Sequence, residues 1–364
     1  MCCKLQITLQ LAVLGSVQKI NTLLGNMTSW KNQMVETEDT VAQKDLSAYA
    51  WEPIILEAGQ LYYRTHLGAA YHGDSKNLLK LLPDESVNLI MTSPPFALRR
   101  KKEYGNVDAK DYVAWFMPFA EQFKRILTPD GSLVIHIGGG WLEGKPRKAL
   151  YQFELLLALS KELVFVQDFY WYNPAKLPSP AEWVTVRRLR IKDAVDPIWW
   201  LSKTDTPKAD NRKVLKPYSE SMLQLFENGY KAKLRPSGHK ISTKFNRRHD
   251  GAIPPNLLSI SNTDSNSRYL SMCRKVGIRL NPARYPPGLP EFFIKFLTDE
   301  GAVVLDPFGG SNTTGAVAEN LNRRWLCFEV DEEYLRGSMF RFDPEKIVES
   351  HASKPGMKFP SAQA

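Results

Sequence analysis

The chain has 364 residues, a formal net charge of +9 and 43% hydrophobic against 24% charged residues, the composition of an ordinary globular protein with room for one large domain and a smaller one. No apolar run approaches the roughly 20 residues needed to span a bilayer, which argues against a helical membrane protein. The four cysteines, Cys2, Cys3, Cys273 and Cys327, match no zinc spacing and build no disulfide framework, so a reducing cytoplasm and no bound metal are expected.

Residues 5–17 are mildly apolar behind a single lysine, Lys4. The thin basic flank and two interrupting glutamines make a poor signal peptide. Residues 1–50 read instead as a loosely held extension, with Met27 and Met34 as alternative starts. From residue 67 strand and helix patterns alternate. Residues 67–71 form a short apolar strand, and Asp74-Ser75 can cap a helix over 76–82. Residues 87–91 are continuously apolar, as in a strand buried on both faces. Tyr112, Trp115, Phe116, Phe119, Phe123 and Ile126 recur at helical spacing, with Pro118 expected to kink that helix. A strand at 132–137, a helix at 149–161 and a strand at 164–171 follow, and 197–201 can pair antiparallel with the last. This βαβα alternation implies a mostly parallel sheet covered by helices.

The alternation stops over residues 202–281, which are polar and rich in turn residues. Between Thr204 and Arg248 eleven Lys and Arg stand against four Asp and Glu, so this stretch holds most of the excess charge. A localised basic segment is what binding to a phosphate backbone needs, although a solvated linker carries similar charge. Pro290 then starts a helix with an apolar face of Phe292, Phe293, Phe296 and Leu297. A strand at 302–305, a helix at 312–321 and a strand at 325–330 close the pattern, and residues 343–364 read as a loose tail.

Two short motifs stand out. Val303-Val304-Leu305 runs into Asp306-Pro307-Phe308-Gly309-Gly310-Ser311, a glycine turn between strand and helix that lets backbone approach a ligand. It is neither the dinucleotide fingerprint nor a P-loop. About twenty residues on, the next strand ends in Phe328-Glu329-Val330-Asp331, where an acidic side chain can accept both hydroxyls of a ribose. Asp74 alone reads equally as a helix cap and as a ligand. The second motif, Thr92-Ser93-Pro94-Pro95-Phe96, follows a buried strand. Its prolines force extended backbone and remove donors, leaving carbonyl oxygens unopposed.

Together these segments resemble the S-adenosylmethionine (SAM)-dependent DNA amino-methyltransferases, with the catalytic and cofactor halves exchanged along the chain. The likeness covers most of residues 63–340. It is closest to the N4-cytosine enzymes of the permuted (beta) restriction–modification group, through Ser93-Pro94-Pro95-Phe96-Ala97-Leu98, Trp171-Tyr172-Asn173-Pro174 and Gly309-Gly310-Ser311-Asn312-Thr313-Thr314. The resemblance implies a circularly permuted Rossmann-like α/β sheet with an inserted target-recognition domain. The expected divisions are an extension at 1–50, a catalytic half at 51–203, the recognition region at 204–280, a SAM-binding half at 281–342 and a tail at 343–364. For the cofactor it implies Asp306, Pro307, Phe308, Gly310, Ser311, Asn312 and Thr313 around the methionine moiety, Glu329 on the ribose and Asp74 near the adenine. Arg284, in the segment Asn281-Pro282-Ala283-Arg284-Tyr285-Pro286, would close over the methionine end.

For catalysis the resemblance implies Ser93, Pro94, Pro95 and Phe96. An exocyclic amine is a poor nucleophile because its lone pair is delocalised into the ring, and acceptors aimed at its N–H bonds favour the pyramidal form. Ser93 Oγ and the Pro94 carbonyl are suited to that, while Phe96 can stack on the base. Serine at the head of the motif is usual for N4-cytosine enzymes and Asp or Asn for N6-adenine enzymes. His136 stands where relatives often have an acid; it reads equally as a proton acceptor and as a packed histidine.

The substrate implied is a cytosine flipped out of double-stranded DNA. Arg99, Arg100, Lys101 and Lys102 would grip phosphates beside it, and Arg235, His239, Lys240, Asn246, Arg247 and Arg248 belong to the expected reading lobe. A monomer in a prokaryotic cytoplasm, at the nucleoid and paired with a restriction endonuclease, completes the expectation. N6-adenine methylation, or an inactive DNA-binding protein on the same fold, are the alternatives.

Overall fold

The computed structural model describes residues 52–97, 107–142, 144–229, 248–263 and 267–351. The expected extension at 1–50 lies outside them, as do Arg99, Arg100, Lys101, Lys102, Arg235, His239, Lys240, Asn246 and Arg247. In chain order the strands are β1 (Gln60–Thr65), β2 (Gly68–His72), β3 (Val87–Thr92), β4 (Leu127–His136), β5 (Val164–Tyr172), β6 (Val195–Ser202), β7 (Leu257–Ser259), β8 (Val303–Asp306), β9 (Arg324–Glu329) and β10 (Ile347–Ser350). The helices are α1 (Ser75–Leu78), α2 (Tyr112–Ile126), α3 (Tyr151–Leu159), α4 (Glu220–Asn228), α5 (Arg268–Val276), α6 (Gly288–Leu297), α7 (Thr313–Asn320) and α8 (Glu332–Ser338).

These strands form one sheet in the order β10-β1-β2-β9-β8-β3-β4-β6-β5-β7. Its centre, β2 to β4, is parallel, and β6 is antiparallel to both β4 and β5. In the β2–β9 pair His72 stands opposite Glu329. The last strand of the cofactor half therefore lies beside the first parallel strand of the catalytic half, which is the permuted order expected from the motifs.

The central strands are apolar at consecutive positions and so bury both faces. On one face Tyr71, Ile90, Ile135, Leu305 and Phe328 pack with α2 and α3. On the other, Leu89, Met91, Val134, Val304 and Trp325 pack with Leu289, Phe293 and Ile294 of α6 and Ala316 and Ala318 of α7. Helix α2 is anchored by the predicted stripe: Tyr112, Phe116, Phe119, Phe123 and Ile126 are all buried, each side chain contributing about 1.5–3 kcal/mol. The helix runs through Pro118, which lies on its exposed side. Among the described residues no helix is long and apolar enough to cross a membrane.

The structure departs from expectation at three places. Strand β1, unpredicted, pairs with β2, and β10, inside the expected loose tail, pairs with β1. The region expected as a separate lobe also gives elements to the main body. β7 extends the sheet beyond β5, and Tyr269, Leu270 and Cys273 of α5 pack with Ile278 and Phe340. Leu258 of β7 thus joins the core of the sheet, while α5 closes a smaller apolar cluster with Phe340, because their short apolar stretches are completed by neighbours far away in sequence.

Candidate active site

The parallel strands finish on one edge, where open α/β sheets bind ligands. Asp74 follows β2, Glu329 closes β9, Asp306 closes β8, Ser93 follows β3 and His136 closes β4, while Asp196 comes from the start of the reversed strand β6. A cleft of about 550 Å3 runs along this edge. Of the sequence-predicted residues it gathers Asp74, Ser93, Pro94, Pro95, Phe96, His136, Arg284, Pro307, Phe308, Gly310 and Glu329.

The cofactor end is organised by Glu329. One carboxylate oxygen accepts the Gly310 N–H at 2.6 Å and the other the Asp331 N–H at 2.9 Å. A carboxylate has about four lone-pair sites, so two remain for a ligand's hydroxyls. Gly310 sits at φ +53°, and a Cβ there would come within 2.1 Å of Asn281 Nδ2; only glycine keeps this turn close to the carboxylate. Asp74 caps α1 through the Lys76 N–H at 2.9 Å and also lines the cleft, so its two readings coexist. Phe308, Phe328 and Tyr334 supply apolar wall. The donor and acceptor set fits a ribose-bearing ligand with an aromatic base.

Burial pushes the Glu329 carboxyl up to about 7, against the lowering effect of its backbone donors. A ligand whose hydroxyls donate to Glu329 selects the ionised form. Affinity for such a ligand should therefore be full above that value and fall below it, by at most about tenfold per pH unit. Calorimetric titration with SAM from pH 8 to 5.5 checks this, with Glu329→Gln expected to be weak and nearly pH-independent.

Four predicted cofactor residues do not line the cleft. Asp306 is 2% exposed and accepts hydrogen bonds from Thr92 Oγ1 (2.7 Å), Thr314 Oγ1 (2.7 Å), Tyr285 Oη (3.1 Å) and the Phe308 N–H (3.1 Å). Burial raises its pKa, and these four donors oppose that rise. Ser311 is held by Arg341, which donates to its carbonyl at 2.6 Å and its Oγ at 2.9 Å. Asn312, left-handed at φ 52°, accepts the Gly315 N–H to cap α7 and donates to Tyr63 Oη at 2.8 Å. Thr313 is buried in the first turn of α7. These residues shape the turn that Pro307, Phe308 and Gly310 present.

At the other end Ser93 Oγ lies 3.0 Å from His136 Nδ1. His136 is 5% exposed and ringed by Phe96, Trp171 and Tyr285 at centroid distances of 5.4, 5.2 and 6.3 Å. Its Nε2 has no hydrogen-bond partner among the described residues and stands 3.9 Å from Asp196 Oδ2. Lys176 Nζ donates to both Asp196 oxygens, at 3.2 and 3.0 Å. Burial works to raise the Asp196 carboxyl, but His136 and Lys176 outweigh it and hold it below its usual range. The Pro95 carbonyl is taken by Tyr112 Oη at 2.8 Å. The Phe96 ring rests on Gly138, where a Cβ would come within 2.5 Å of the ring, so residue 138 must be glycine for the ring to lie there.

Asp196, Lys176 and Tyr285 carry this geometry and were not predicted as site residues. A signal for Asp196 existed: an acid at the head of a strand expected to run antiparallel, and hence to begin at the carboxyl edge. Arg248, the described member of the expected reading lobe, is exposed and does not line the cleft.

Residues 87–340 match the DNA methylase family. The chain is 51% identical over 292 residues, 79% of its own length and 87% of the relative's, to the Type II methyltransferase M.PvuII of Proteus hauseri. It is 28% identical over 300 residues to the Type II methyltransferase M.BamHI of Bacillus amyloliquefaciens, covering 78% of this chain and 60% of that one. A solved PvuII DNA methyltransferase, described as cytosine-N4-specific, superposes with a TM-score of 0.65 at 45% identity, over 79% of this chain and 90% of that one. With its Ser-Pro-Pro-Phe segment and its Asp-Pro-Phe-Gly-Gly turn on the two sides of a single cleft, the chain belongs to the DNA methylase family.

Proposed function

We propose that the protein transfers the methyl group of SAM to the N4 amino group of a cytosine flipped out of double-stranded DNA. The observation that carries this reading is the Ser93–His136 pair, 3.0 Å apart, at the head of a Pro-Pro-Phe segment in the same cleft as Glu329. The likeness to a methyltransferase described as cytosine-N4-specific supports it.

Glu329 would hold the ribose, Asp74 would stand near the adenine, and Phe308, Gly310 and Arg284 would hold the methionine end. When bound there, SAM supplies an electrophilic sulfonium methyl. The protein's own part is to make the amine nucleophilic and to take its proton. If Ser93 donates its hydroxyl proton to His136 Nδ1, both Oγ lone pairs are left for an amine N–H. The Pro94 carbonyl, which accepts no hydrogen bond among the described residues, takes the other N–H and favours the pyramidal form. Phe96 stacks on the base, a contact worth about 0.5–2 kcal/mol. As the new C–N bond forms at the expense of the sulfur–methyl bond, whose electron pair stays on the departing thioether, the amine sheds a proton to Ser93 Oγ while the serine's proton passes to His136 Nδ1. The imidazolium then faces the Asp196 carboxylate. A histidine suits this role near neutral pH, and positioning of amine and methyl in line supplies the remaining rate.

We further read the protein as a monomer that protects host DNA in a prokaryotic cytoplasm beside a restriction endonuclease; the Type II designation of its relatives supports that setting. Incubation with plasmid DNA and methyl-labelled SAM should place label in the DNA. SAM binding without transfer to any DNA would instead mean an inactive DNA-binding role.

A further inference from the structure

A basic surface with apolar tips flanks the catalytic end of the cleft, and neither cofactor binding nor proton transfer uses it. It joins two loops, residues 138–149 after β4 and residues 173–194 between β5 and β6. The Arg190 guanidinium lies 3.4 Å from the Trp141 ring centroid and donates to the Pro146 carbonyl at 3.1 Å. Asp193 pairs with Lys148 at 3.3 Å and Arg190 at 3.9 Å. These contacts lock the loops into one unit. The unit is rooted in the cleft: the Asn173 N–H donates to the Ala194 carbonyl at 2.9 Å, and Lys192 Nζ to the carbonyl of cleft-lining Lys176 at 3.3 Å.

Arg190, Lys148, Asp193 and Lys192 hold the unit in place, while Arg147 and Arg188 are exposed on it. Leu189 and Ile191, on either side of the pinned Arg190, are 63% and 87% exposed. Arg188 is held at φ 54°, in the left-handed region that non-glycine residues rarely adopt. Aliphatic side chains projecting between cations, from a braced base at the mouth of a base-binding cleft, match a nucleic-acid duplex in both charge and shape.

We propose that this unit grips double-stranded DNA beside the flipped nucleotide, with Arg147 and Arg188 on phosphates and Leu189 and Ile191 wedged into the disrupted base stack. The proposal rests on the methyltransferase reading, with DNA as its substrate. Leucine and isoleucine are common wedges between base steps, and extrusion of a base costs a few kcal/mol that such a wedge offsets.

Two variants test it on short duplexes carrying the site mapped by sequencing plasmid DNA modified by the wild type. Arg147→Ala/Arg188→Ala should weaken duplex binding and make the slope of log K against log salt shallower by about 0.9 per lost phosphate contact. Thermal midpoint and SAM affinity should stay unchanged. Leu189→Ser/Ile191→Ser should lose about tenfold or more in turnover on the paired duplex, and regain most of it when the target cytosine is mismatched and flips cheaply. Leu189→Met/Ile191→Met should keep activity on both. An unchanged salt slope, or equal losses on paired and mismatched substrates, overturns the proposal. Wild-type transfer to both substrates tests the underlying reading separately, since it depends on neither variant.

Discussion

Asp306→Ala should damage the fold before it touches the chemistry. Its carboxylate ties together Thr92 at the end of β3, Thr314 in α7, Tyr285 ahead of α6 and the Phe308 N–H of the glycine turn. Truncation leaves three hydroxyls and one amide without their shared acceptor in a site that is 2% exposed. A buried polar group stripped of its partner costs about 1–3 kcal/mol. With partial relaxation we expect a loss of about 4–6 kcal/mol, a large part of the roughly 5–15 kcal/mol that holds a protein folded. The thermal midpoint should fall by roughly 10 °C or more, and SAM affinity should fall with it because Pro307, Phe308 and Gly310 lose their support. Asp306→Asn keeps one acceptor oxygen and should lose less. Thermal unfolding and calorimetry with SAM check both; a stable Asp306→Ala protein with weak SAM binding would instead make Asp306 a direct ligand.

Ser93→Ala and His136→Ala should show the opposite pattern. Both side chains lie away from the Glu329 end, so SAM affinity should change little; Ser93→Ala should also keep its thermal midpoint, whereas His136→Ala empties a site that is 5% exposed and should lose some stability. Turnover should fall by about 10²–10⁴, the usual range for positioned acid–base groups. Asp196→Asn separates the parts further. The titratable groups around His136 are Asp196, Lys176 beyond it, and the Tyr285 phenol, which burial keeps neutral. Without the Asp196 charge the imidazolium loses its stabilising partner. Turnover should then fall with SAM affinity unchanged, whereas a merely structural role for Asp196 would lower the thermal midpoint instead.

The parallel centre of the sheet and its permuted order were legible in the sequence because β3, β8 and β9 are buried on both faces and carry consecutive apolar residues at 89–91, 303–305 and 325–328. So was α2, whose stripe of large aromatics has a clear period. β1 and β10 were not, since each is an edge or near-edge strand with mixed faces that depends on its neighbour. Residues 257–278 looked like part of a polar lobe because β7 has only three residues and α5 buries just Tyr269, Leu270 and Cys273. In the site, residue types were legible and directions were not. Asp306 and Asn312 belong to the right motif, yet they turn inward to hydroxyls of Thr92 and Tyr63 that no local pattern announces. Arg187-Arg188-Leu189-Arg190-Ile191-Lys192 reads as an ordinary polar connection until Arg190 is seen on Trp141, some fifty residues earlier in the chain.

In the proposed reaction one cleft brings SAM to the N4 amine of cytosine, with Ser93 at the point of attack. Plasmid DNA modified by the protein with methyl-labelled SAM, digested and resolved by mass spectrometry of its nucleosides, should yield N4-methylcytosine carrying the label; labelled N6-methyladenine or 5-methylcytosine in its place would overturn this reading.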